Sequence, residues 1–334
     1  MRRLLLLLLL AGTCAGGYYA ATNYDIAFGP NGVSWKPRDP NAAPTVPGVG
    51  PPVTRSGDAI RIASFNIQVF GQTKAAKPHV MNVLADVVRR FDVVAIQEIR
   101  SLDDTVIPNF VALVNSTGRS YDYVLGKREG FTSSKEQYAY IFDTASVEVD
   151  RAGVYSVGDP DKLFQRPPLV AWFRVRGPAS DRAFTFKLVN VHTDPDKADL
   201  ERELDYLDDV LHAVRNEGVL DPGSDEDDVI LLGDFNTDER HLGPLGRESN
   251  IAWAIAGTPT NTRGTKQYDN VVFKRWATVE FTGKSGVLDL KTEFKLTDEQ
   301  ALDVSDHQPI WAEFSIYEGG TGAPIAARDR QPAR

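Results

Sequence analysis

Short apolar runs alternate with amphipathic stretches along most of this chain. The alternating segment Ala59–Phe65 and the run Asp92–Ile96 predict two strands of a sheet. Between them, valines and a leucine recur at helical spacing from Val80 to Val88 and predict a helix. A more pronounced helical stripe covers Asp196–Asn216, where apolar side chains step by four, three, four and three residues. This pattern predicts a domain that mixes strands with covering helices.

Further elements follow from the same periodicities. A helix is predicted over Thr105–Asn115, and further strands are predicted over Tyr121–Leu125, Tyr138–Phe142, Val147–Val154, Leu169–Arg174, Phe184–Val191, Tyr268–Phe273, Thr278–Phe281 and Gln308–Ile316. Strands outnumber helices, and strand–helix–strand units occur at both ends. We therefore predict an α+β fold with two mixed β-sheets stacked face to face and helices outside them, rather than one parallel sheet.

One strand ends in polar residues that could carry chemistry. Val229–Leu232 is an uninterrupted apolar run, as expected of a strand covered on both faces. Gly233 allows a close backbone approach, and Asp234 and Asn236 then point to the same side if the chain stays extended. The pair could hold a phosphate, a water molecule or a divalent cation, or it could be an ordinary strand exit. The acidic residues just before this strand, 225–228, are predicted to be a solvated turn.

Composition and charge narrow the class of partner. The chain has 334 residues, of which 42% are hydrophobic, enough for a sizeable core. Its net charge is -9 and its pI is near 5.2, which argues against broad electrostatic binding to nucleic acid or to an anionic membrane. A local basic groove, or phosphate contact through metal ions, stays compatible with this charge.

The N-terminus resembles an export signal. Arg2 and Arg3 precede an unbroken leucine run from Leu4 to Leu10, which is too short for a membrane span, and small residues follow. We predict a signal peptide over 1–15, and an exported protein that is extracellular, periplasmic or membrane-tethered. Cys14 is the only cysteine, so the chain can form no internal disulfide. It stands where a bacterial lipoprotein carries its acceptor cysteine, and both lipid anchoring and ordinary cleavage stay open.

The rest of the chain divides by composition. Seven of the twenty prolines lie between Pro30 and Pro52, so a Pro/Gly-rich linker is predicted over 16–57. The alternative is an irregular arm packed on the domain. The globular domain is predicted over 58–317, and the small, polar residues of 318–334 predict a disordered tail.

Polar residues recur where the predicted strands end or begin. Besides Asp234 and Asn236, they occur in the segments Ser64-Phe65-Asn66, Ile96-Gln97-Glu98, Val191-His192, Tyr268-Asp269 and Ser305-Asp306-His307. A single histidine at a strand end is more often structural than functional. Two of the chain's five histidines share this placement beside acidic or amide residues. The other three, His79, His212 and His241, are predicted to be structural or on the surface.

Taken in order, these motifs resemble the endonuclease/exonuclease/phosphatase superfamily, and most of all its deoxyribonuclease I-like members. The resemblance covers about Ile60 to Phe314 and extends to Lys135-Glu136-Gln137-Tyr138. It implies a four-layer αββα sandwich and a metal-dependent endonuclease, that is, a phosphodiester hydrolase.

The resemblance also implies roles for particular residues. Asn66, Glu98 and Asp306 match the metal-site positions, where oxygen ligands suit Mg²⁺, with Mn²⁺ or Ca²⁺ as other candidates. Asp234 and Asn236 match the residues that hold the phosphate and the attacking water.

His192 and His307 match the paired catalytic histidines, which Glu136 and Asp269 respectively would orient. Arg100 and Arg166 match positions that contact nucleic-acid phosphates, and the alternative for each is a surface ion pair.

Two departures from the family bear on the substrate. Phe131 and Ser134 stand where deoxyribonuclease I carries an Arg and a Tyr that enter the DNA minor groove, and the family's disulfides are absent. DNA is the expected substrate, with no protein partner and a monomeric chain. The alternatives are a phosphoesterase acting on a lipid headgroup or inositol phosphate, and an inactive binding module.

Overall fold

The computed structural model describes residues 24–29, 32–37, 57–131, 135–217 and 226–320. The described residues form two units. The first is a hairpin in which β1 (Tyr24–Gly29) pairs antiparallel with β2 (Gly32–Pro37). This hairpin lies inside the range predicted to be a linker. The bounds of the linker stay a prediction, and the alternation of Tyr24, Ile26 and Phe28 is compatible with the strand at 24–29.

The second unit contains two six-stranded sheets. The first sheet has the spatial order β13-β14-β3-β4-β6-β5, and the second has the order β11-β12-β10-β9-β8-β7. The first sheet comprises β3 (Ala59–Phe70), β4 (Val93–Ile99), β5 (Tyr121–Leu125), β6 (Gln137–Asp143), β13 (Phe281–Val287) and β14 (Ile310–Ser315). The second comprises β7 (Val147–Ser156), β8 (Leu169–Val175), β9 (Thr185–His192), β10 (Val229–Asp234), β11 (Ile251–Trp253) and β12 (Asp269–Lys274). Each sheet is mixed, because β3–β4 and β9–β10 are parallel pairs among antiparallel ones.

Three apolar layers hold the sheets and helices together. The layer between the sheets contains Ile62 and Tyr140 from the first sheet and Phe173, Leu188 and Leu232 from the second. The outer face of the first sheet is covered by α1 (Gln72–Ala75), α2 (Pro78–Val88), α3 (Val106–Asn115), α7 (Leu290–Phe294) and α8 (Asp298–Val304). The outer face of the second is covered by α4 (Lys197–Leu204), α5 (Leu207–Arg215) and α6 (Gly243–Arg247). The predicted four-layer αββα sandwich is confirmed.

Some predicted elements differ from the structure. The stretch Asp196–Asn216 forms two helices rather than one, because Tyr206 has a φ of -116° and a ψ of 3° and interrupts the helical backbone. The leucines keep their helical spacing across Tyr206, so the periodicity of the sequence could not reveal the break between the two helices. The strand predicted over Thr278–Phe281 instead runs over Phe281–Val287, an edge strand whose half-exposed polar residues show no alternation.

Candidate active site

The second sheet brings three site residues side by side. In the register of the strands, Asp234 at the end of β10 pairs with His192 of β9 on one side and with Asp269 of β12 on the other. Gly233 makes this close approach possible, since its φ is 150° and a Cβ there would lie 1.9 Å from the carbonyl oxygen of Val191. Only glycine fits at this position. The backbone of β10 can therefore pack directly against that of β9, which sets the position of Asp234 beside His192.

The first sheet contributes Asn66 and Glu98 from its central parallel strands. The β3–β4 register shifts between Asn66 and Phe70, and within this irregularity Val69 and Glu98 both have positive φ, 52° and 62°. Such backbone is costly for residues other than glycine, particularly for β-branched valine. The Val69 amide donates to Oε2 of Glu98 over 2.9 Å. This strained bulge turns the Glu98 carboxylate towards the site.

The two sheets meet at one carboxylate oxygen. Oδ2 of Asp234 accepts a 3.0 Å hydrogen bond from Nδ2 of Asn66, which also donates to Oε1 of Glu98 over 3.2 Å. Nε2 of His307 lies 3.4 Å from the same Oδ2, and Nε2 of His192 lies 3.6 Å from it. The predicted catalytic histidines, one beside each sheet, therefore face a single point.

His307 is oriented by a buried chain of hydrogen bonds. Its Nδ1 lies 2.9 Å from Oδ2 of Asp269, which also accepts a 2.6 Å hydrogen bond from the Thr260 hydroxyl. A carboxylate on Nδ1 keeps a proton there and leaves Nε2 to exchange protons. Burial lowers the pKa of His307, but the carboxylates of Asp269 and Asp234 outweigh burial and hold that pKa well above its ordinary value.

His192 has an equivalent partner in Glu136. Nδ1 of His192 lies 3.0 Å from Oε1 of Glu136, at ion-pair distance although not aligned for a hydrogen bond. Burial raises the pKa of Glu136, but His192, Arg166 and Arg100 outweigh it and lower that pKa to about 2. The pKa of His192 is raised, since the attraction of Glu136 exceeds the effect of burial.

The two arginines occupy different positions around Glu136. Nε of Arg166 lies 2.6 Å from Oε1 of Glu136, and its guanidinium donates to the backbone carbonyls of His192 and Thr193. The Arg166 side chain is only 11% exposed, so these bonds indicate that Arg166 positions Glu136 and the backbone near His192. Contact between Arg166 and a substrate phosphate stays a prediction. Arg100 lies 3.2 Å from Glu98 and 3.4 Å from Glu136, with 29% of its side chain exposed.

The predicted metal ligands differ in how fully the protein satisfies them. Oδ1 of Asp306 is buried and has no hydrogen-bond partner among the described residues. The two oxygens of Glu98, by contrast, accept hydrogen bonds from Asn66 and from the Val69 amide. A buried carboxylate oxygen without a partner fits a hard divalent cation. Another close group, Asp234, Asp269 and His307, has ligand atoms within 4.8 Å of one another, but Asp269 is already bonded there.

Asn236 lies at the edge of the site and of an open cavity. Its backbone amide donates to Oδ1 of Asp234 over 2.9 Å, and its Nδ2 donates to the carbonyl of Thr193 over 2.8 Å. Its φ of 49° is one that asparagine tolerates better than most residues. The adjoining cavity has a volume of about 450 Å³, and its lining includes Arg240, Lys266 and Tyr268.

The sequence placed Gln97 among the polar strand ends without predicting its contact, and it did not single out Asn190 or Thr260, which also support the site. Nε2 of Gln97 in β4 donates over 2.6 Å to Oδ1 of Asn190 in β9, so one buried bond joins the two sheets below the histidines. Asn190 precedes His192 by two residues and so lies on the same face of β9, and that spacing was the available signal. Thr260 lies in a loop without periodicity and gave none.

The remaining histidines lie elsewhere, each beside a carboxylate. His79 faces Asp303, His212 faces Glu248 and His241 faces Asp238. These are ordinary surface or half-buried pairs with no second histidine. They supply matched controls for substitutions at the site.

The fold and this arrangement define a class of protein. Residues 63–307 match the family model described as Endonuclease/Exonuclease/phosphatase family, and the chain belongs to that family. The predicted family membership is therefore confirmed, as is the prediction of a hydrolytic nuclease. The specific substrate and the specific ion are considered below.

The individual proteins to which this chain is similar have low sequence identity to it. The chain is 30% identical over 277 residues to deoxyribonuclease gamma of Rattus norvegicus, covering 77% of this chain and 84% of the relative. It is 32% identical over 273 residues to deoxyribonuclease-1-like 1 of Bos taurus, covering 78% and 82%. Among solved structures, an endonuclease/exonuclease/phosphatase from Bacteroides vulgatus matches with a TM-score of 0.54 at 12% identity, covering 77% of this chain and 99% of that one. The human Nocturnin catalytic domain with bound sulfate matches with a TM-score of 0.53 at 16% identity, covering 78% and 95%. These structures share the fold.

Proposed function

We propose that this protein is a Mg²⁺-dependent endonuclease that cuts DNA by in-line attack of water on a phosphodiester. One observation carries the proposal: Nε2 of His192 and Nε2 of His307 face the same oxygen of Asp234, at 3.6 and 3.4 Å. Each histidine has a carboxylate beside its Nδ1, that of Glu136 or Asp269. Two histidines held in this way can serve as an acid and a base on one phosphate.

The roles follow from these positions. One histidine takes a proton from the attacking water, and the other gives a proton to the leaving oxygen. Asp234 holds the water, while Asn236 beside it contributes amide contacts to the phosphate. Asn66 keeps Asp234 in place by its 3.0 Å hydrogen bond. In this scheme Arg166 positions Glu136 and the His192 backbone, whereas Arg100, which is more exposed, contacts phosphate.

The proposed metal ligands are Glu98, Asp306 and Asn66. Their oxygens are the hard ligands that Mg²⁺ prefers, and Mn²⁺ or Ca²⁺ would also accept them. When bound, the cation stabilises negative charge on the phosphate oxygens. The buried and unpartnered Oδ1 of Asp306 supports this assignment.

DNA is the favoured substrate for three reasons. The similar curated proteins are named deoxyribonucleases. The cavity beside Asn236 is lined by Lys266 and by Arg240, which pairs with Asp238 over 3.0 Å, so two cations and one carboxylate leave this part of an acidic chain with a small excess of positive charge. Phe131 is 53% exposed, as a side chain must be to wedge between bases in a minor groove. Ser134 lies outside the described residues.

Plasmid nicking tests the proposal. The full chain is incubated with supercoiled plasmid and Mg²⁺, or with EDTA, beside His192→Ala, His307→Ala and the control His212→Ala. We expect nicking that EDTA abolishes, a fall of at least about 10²-fold in either site variant, and little change in the control. Nicking that persists in both site variants would refute the mechanism. No nicking with any divalent metal, together with release of phosphate or headgroup from a lipid or inositol substrate, would favour the alternative phosphoesterase. An inactive binding module would show neither activity.

We also infer export from the segment 1–15, which lies outside the described residues. In the part of the chain that the structure describes, none of the helices has the length and apolarity that a bilayer crossing requires. Labelling with a radioactive fatty acid, with and without Cys14→Ser, tests the proposed anchor. Equal label in both proteins would exclude lipidation at Cys14, and gel filtration would test the expected monomer.

A further inference from the structure

A buried carboxylate lies at the start of the strand whose far end carries the active site. Asp228 immediately precedes β10, and the residue is only 1% exposed. This corrects the prediction of a solvated turn for this residue. Neither carboxylate oxygen of Asp228 has a well-aligned hydrogen-bond partner among the described residues, and the nearby buried hydroxyl of Thr278 has none either. Six residues of extended chain separate it from the catalytic end of β10, a distance of about 20 Å.

Two further carboxylates face Asp228. Ligand oxygens of Asp228, Glu280 and Glu318 all lie within 4.8 Å of one another. Oε1 of Glu280 accepts a 2.6 Å hydrogen bond from the Gly319 amide, and Oε2 of Glu318 accepts one of 3.3 Å from the Thr185 amide. Oε2 of Glu280 is buried without a partner. Backbone amides therefore fix the two glutamates while leaving oxygen atoms directed at the cluster.

No basic side chain neutralises this cluster. Across the described ranges, Asp228, Glu280 and Glu318 form no ion pair with lysine, arginine or histidine. The carboxylate of Glu226, which accepts the Asp228 amide over 3.0 Å, adds a fourth acidic group. Asp228, Glu280 and Glu226 are buried, and Glu318 is exposed at the edge of the cluster. Buried carboxylates without a counter-charge are strongly unfavourable, unless protons or a cation neutralise them.

We propose that Asp228, Glu280 and Glu318 bind a Ca²⁺ ion, at a site separate from the catalytic centre. Ca²⁺ takes oxygen ligands at about 2.3–2.6 Å, so a single ion can contact oxygens that lie up to about 4.8 Å apart. Mg²⁺ demands shorter distances and near-ideal octahedral geometry, and this irregular set of carboxylates suits it less.

The ion would connect three segments that are distant in sequence. Asp228 begins β10 of the second sheet, and Glu280 precedes β13 of the first sheet. Glu318 follows Tyr317, whose backbone forms a bridge with Ala183. The ion therefore fastens one end of the sandwich by joining its two sheets, and its function is stabilisation. This role does not depend on the proposed catalytic function.

Calcium binding in a protein with a disabled catalytic centre tests the proposal. The full chain carrying Glu98→Gln and Asp306→Asn is titrated with CaCl₂ by calorimetry and by equilibrium dialysis with ⁴⁵Ca. We expect one Ca²⁺ per chain with a dissociation constant at or below about 1 mM. If the background protein binds no Ca²⁺ at concentrations up to about 10 mM, the proposal is overturned, whether or not any further variant folds. That result would mean that protons, and not a cation, neutralise the cluster.

Variants at the cluster then locate the ion. Adding Asp228→Asn or Glu280→Gln to this background should weaken binding by at least about tenfold, while the exposed control Glu201→Gln should not. Ca²⁺ should raise the melting temperature of the background protein and of the control, but not that of the cluster variants. An equal rise in all of them would place the bound ion elsewhere and overturn the proposal.

Discussion

Glu136→Gln removes the charge that holds one side of the active site together. The Glu136 side chain is 2% exposed and lies beside His192, Arg166 and Arg100. Its pKa falls from an ordinary 4.5 to about 2, a difference that corresponds to about 3 kcal/mol of stability. The variant also leaves the buried Arg166 guanidinium with only its 3.9 Å contact to Asp194, and breaking a buried ion pair costs up to roughly 3–5 kcal/mol. We expect a loss of about 3 kcal/mol in the free energy of unfolding at pH 7.

The effect has a defined pH dependence. Because the pKa of Glu136 is lower in the folded state, its contribution is fully present above the unfolded value of 4.5 and is lost as the pH falls towards about 2. Below about pH 5.5 His192 stays protonated in the wild type, because its pKa is raised, so only Glu136 titrates in this pair and the gap between wild type and variant should narrow from about pH 5.5 to about pH 3.5. If the stabilisation came instead from a lysine or histidine with a raised pKa, the gap in the free energy of unfolding would narrow as the pH rises.

Urea unfolding followed by tryptophan fluorescence measures the gap at each pH. Glu148→Gln is the matched control, because Glu148 also pairs with two arginines, Arg174 and Arg176, but on the surface. The control should lose less than about 1 kcal/mol. A loss below about 1 kcal/mol in Glu136→Gln, or a gap that does not narrow in acid, would refute the reasoning. Plasmid nicking by the folded variant should also fall, because His192 loses its orienting carboxylate.

Three further predictions concern the strand end and its surroundings. Gly233→Ala should lower the free energy of unfolding by at least about 2 kcal/mol in urea titrations, because the new Cβ would lie 1.9 Å from the Val191 carbonyl; an unchanged midpoint would contradict this. Thr260→Val should reduce the nicking rate more than it reduces stability, since Asp269 loses its 2.6 Å hydrogen bond; normal activity would show that the bond is dispensable. Phe235→Ala should cost about 3–5 kcal/mol, because this side chain is fully buried against the helices of the second sheet, and thermal unfolding at an unchanged temperature would show otherwise.

The fold could be predicted from the sequence where a segment carries its own signal. The strand Tyr121–Leu125 has the predicted bounds, and the run that ends in Asp234 is a central strand as expected. The break at Tyr206 was missed because a stripe of leucines reports which face is buried, not whether the backbone is continuous. Edge strand β13 was misplaced because exposure on both faces removes the alternation.

For the site, the sequence nominated candidate residues but did not predict the contacts among them. His192, His307 and Asp234 were expected to act together, and the structure brings them to one point. Burial is a property of the folded chain, so the sequence could not distinguish the buried Arg166 from the more exposed Arg100, or the buried Asp228 from its exposed neighbour Asp227. Which loop residue would support Asp269 likewise depended on tertiary contacts.

The division of the site between the two sheets has a consequence for the newly made chain. Asn66 and Glu98 come from the first sheet and Asp234 from the second, and they meet only when aromatic contacts such as Tyr140–Phe173 close the layer between the sheets. A chain in which either sheet has formed alone holds only part of the proposed catalytic set. Activity would therefore appear only at the last step of assembly, which would protect the nucleic acid of the producing cell from a partly folded nuclease. Loss of activity should in turn be the earliest sign that the two sheets have begun to separate.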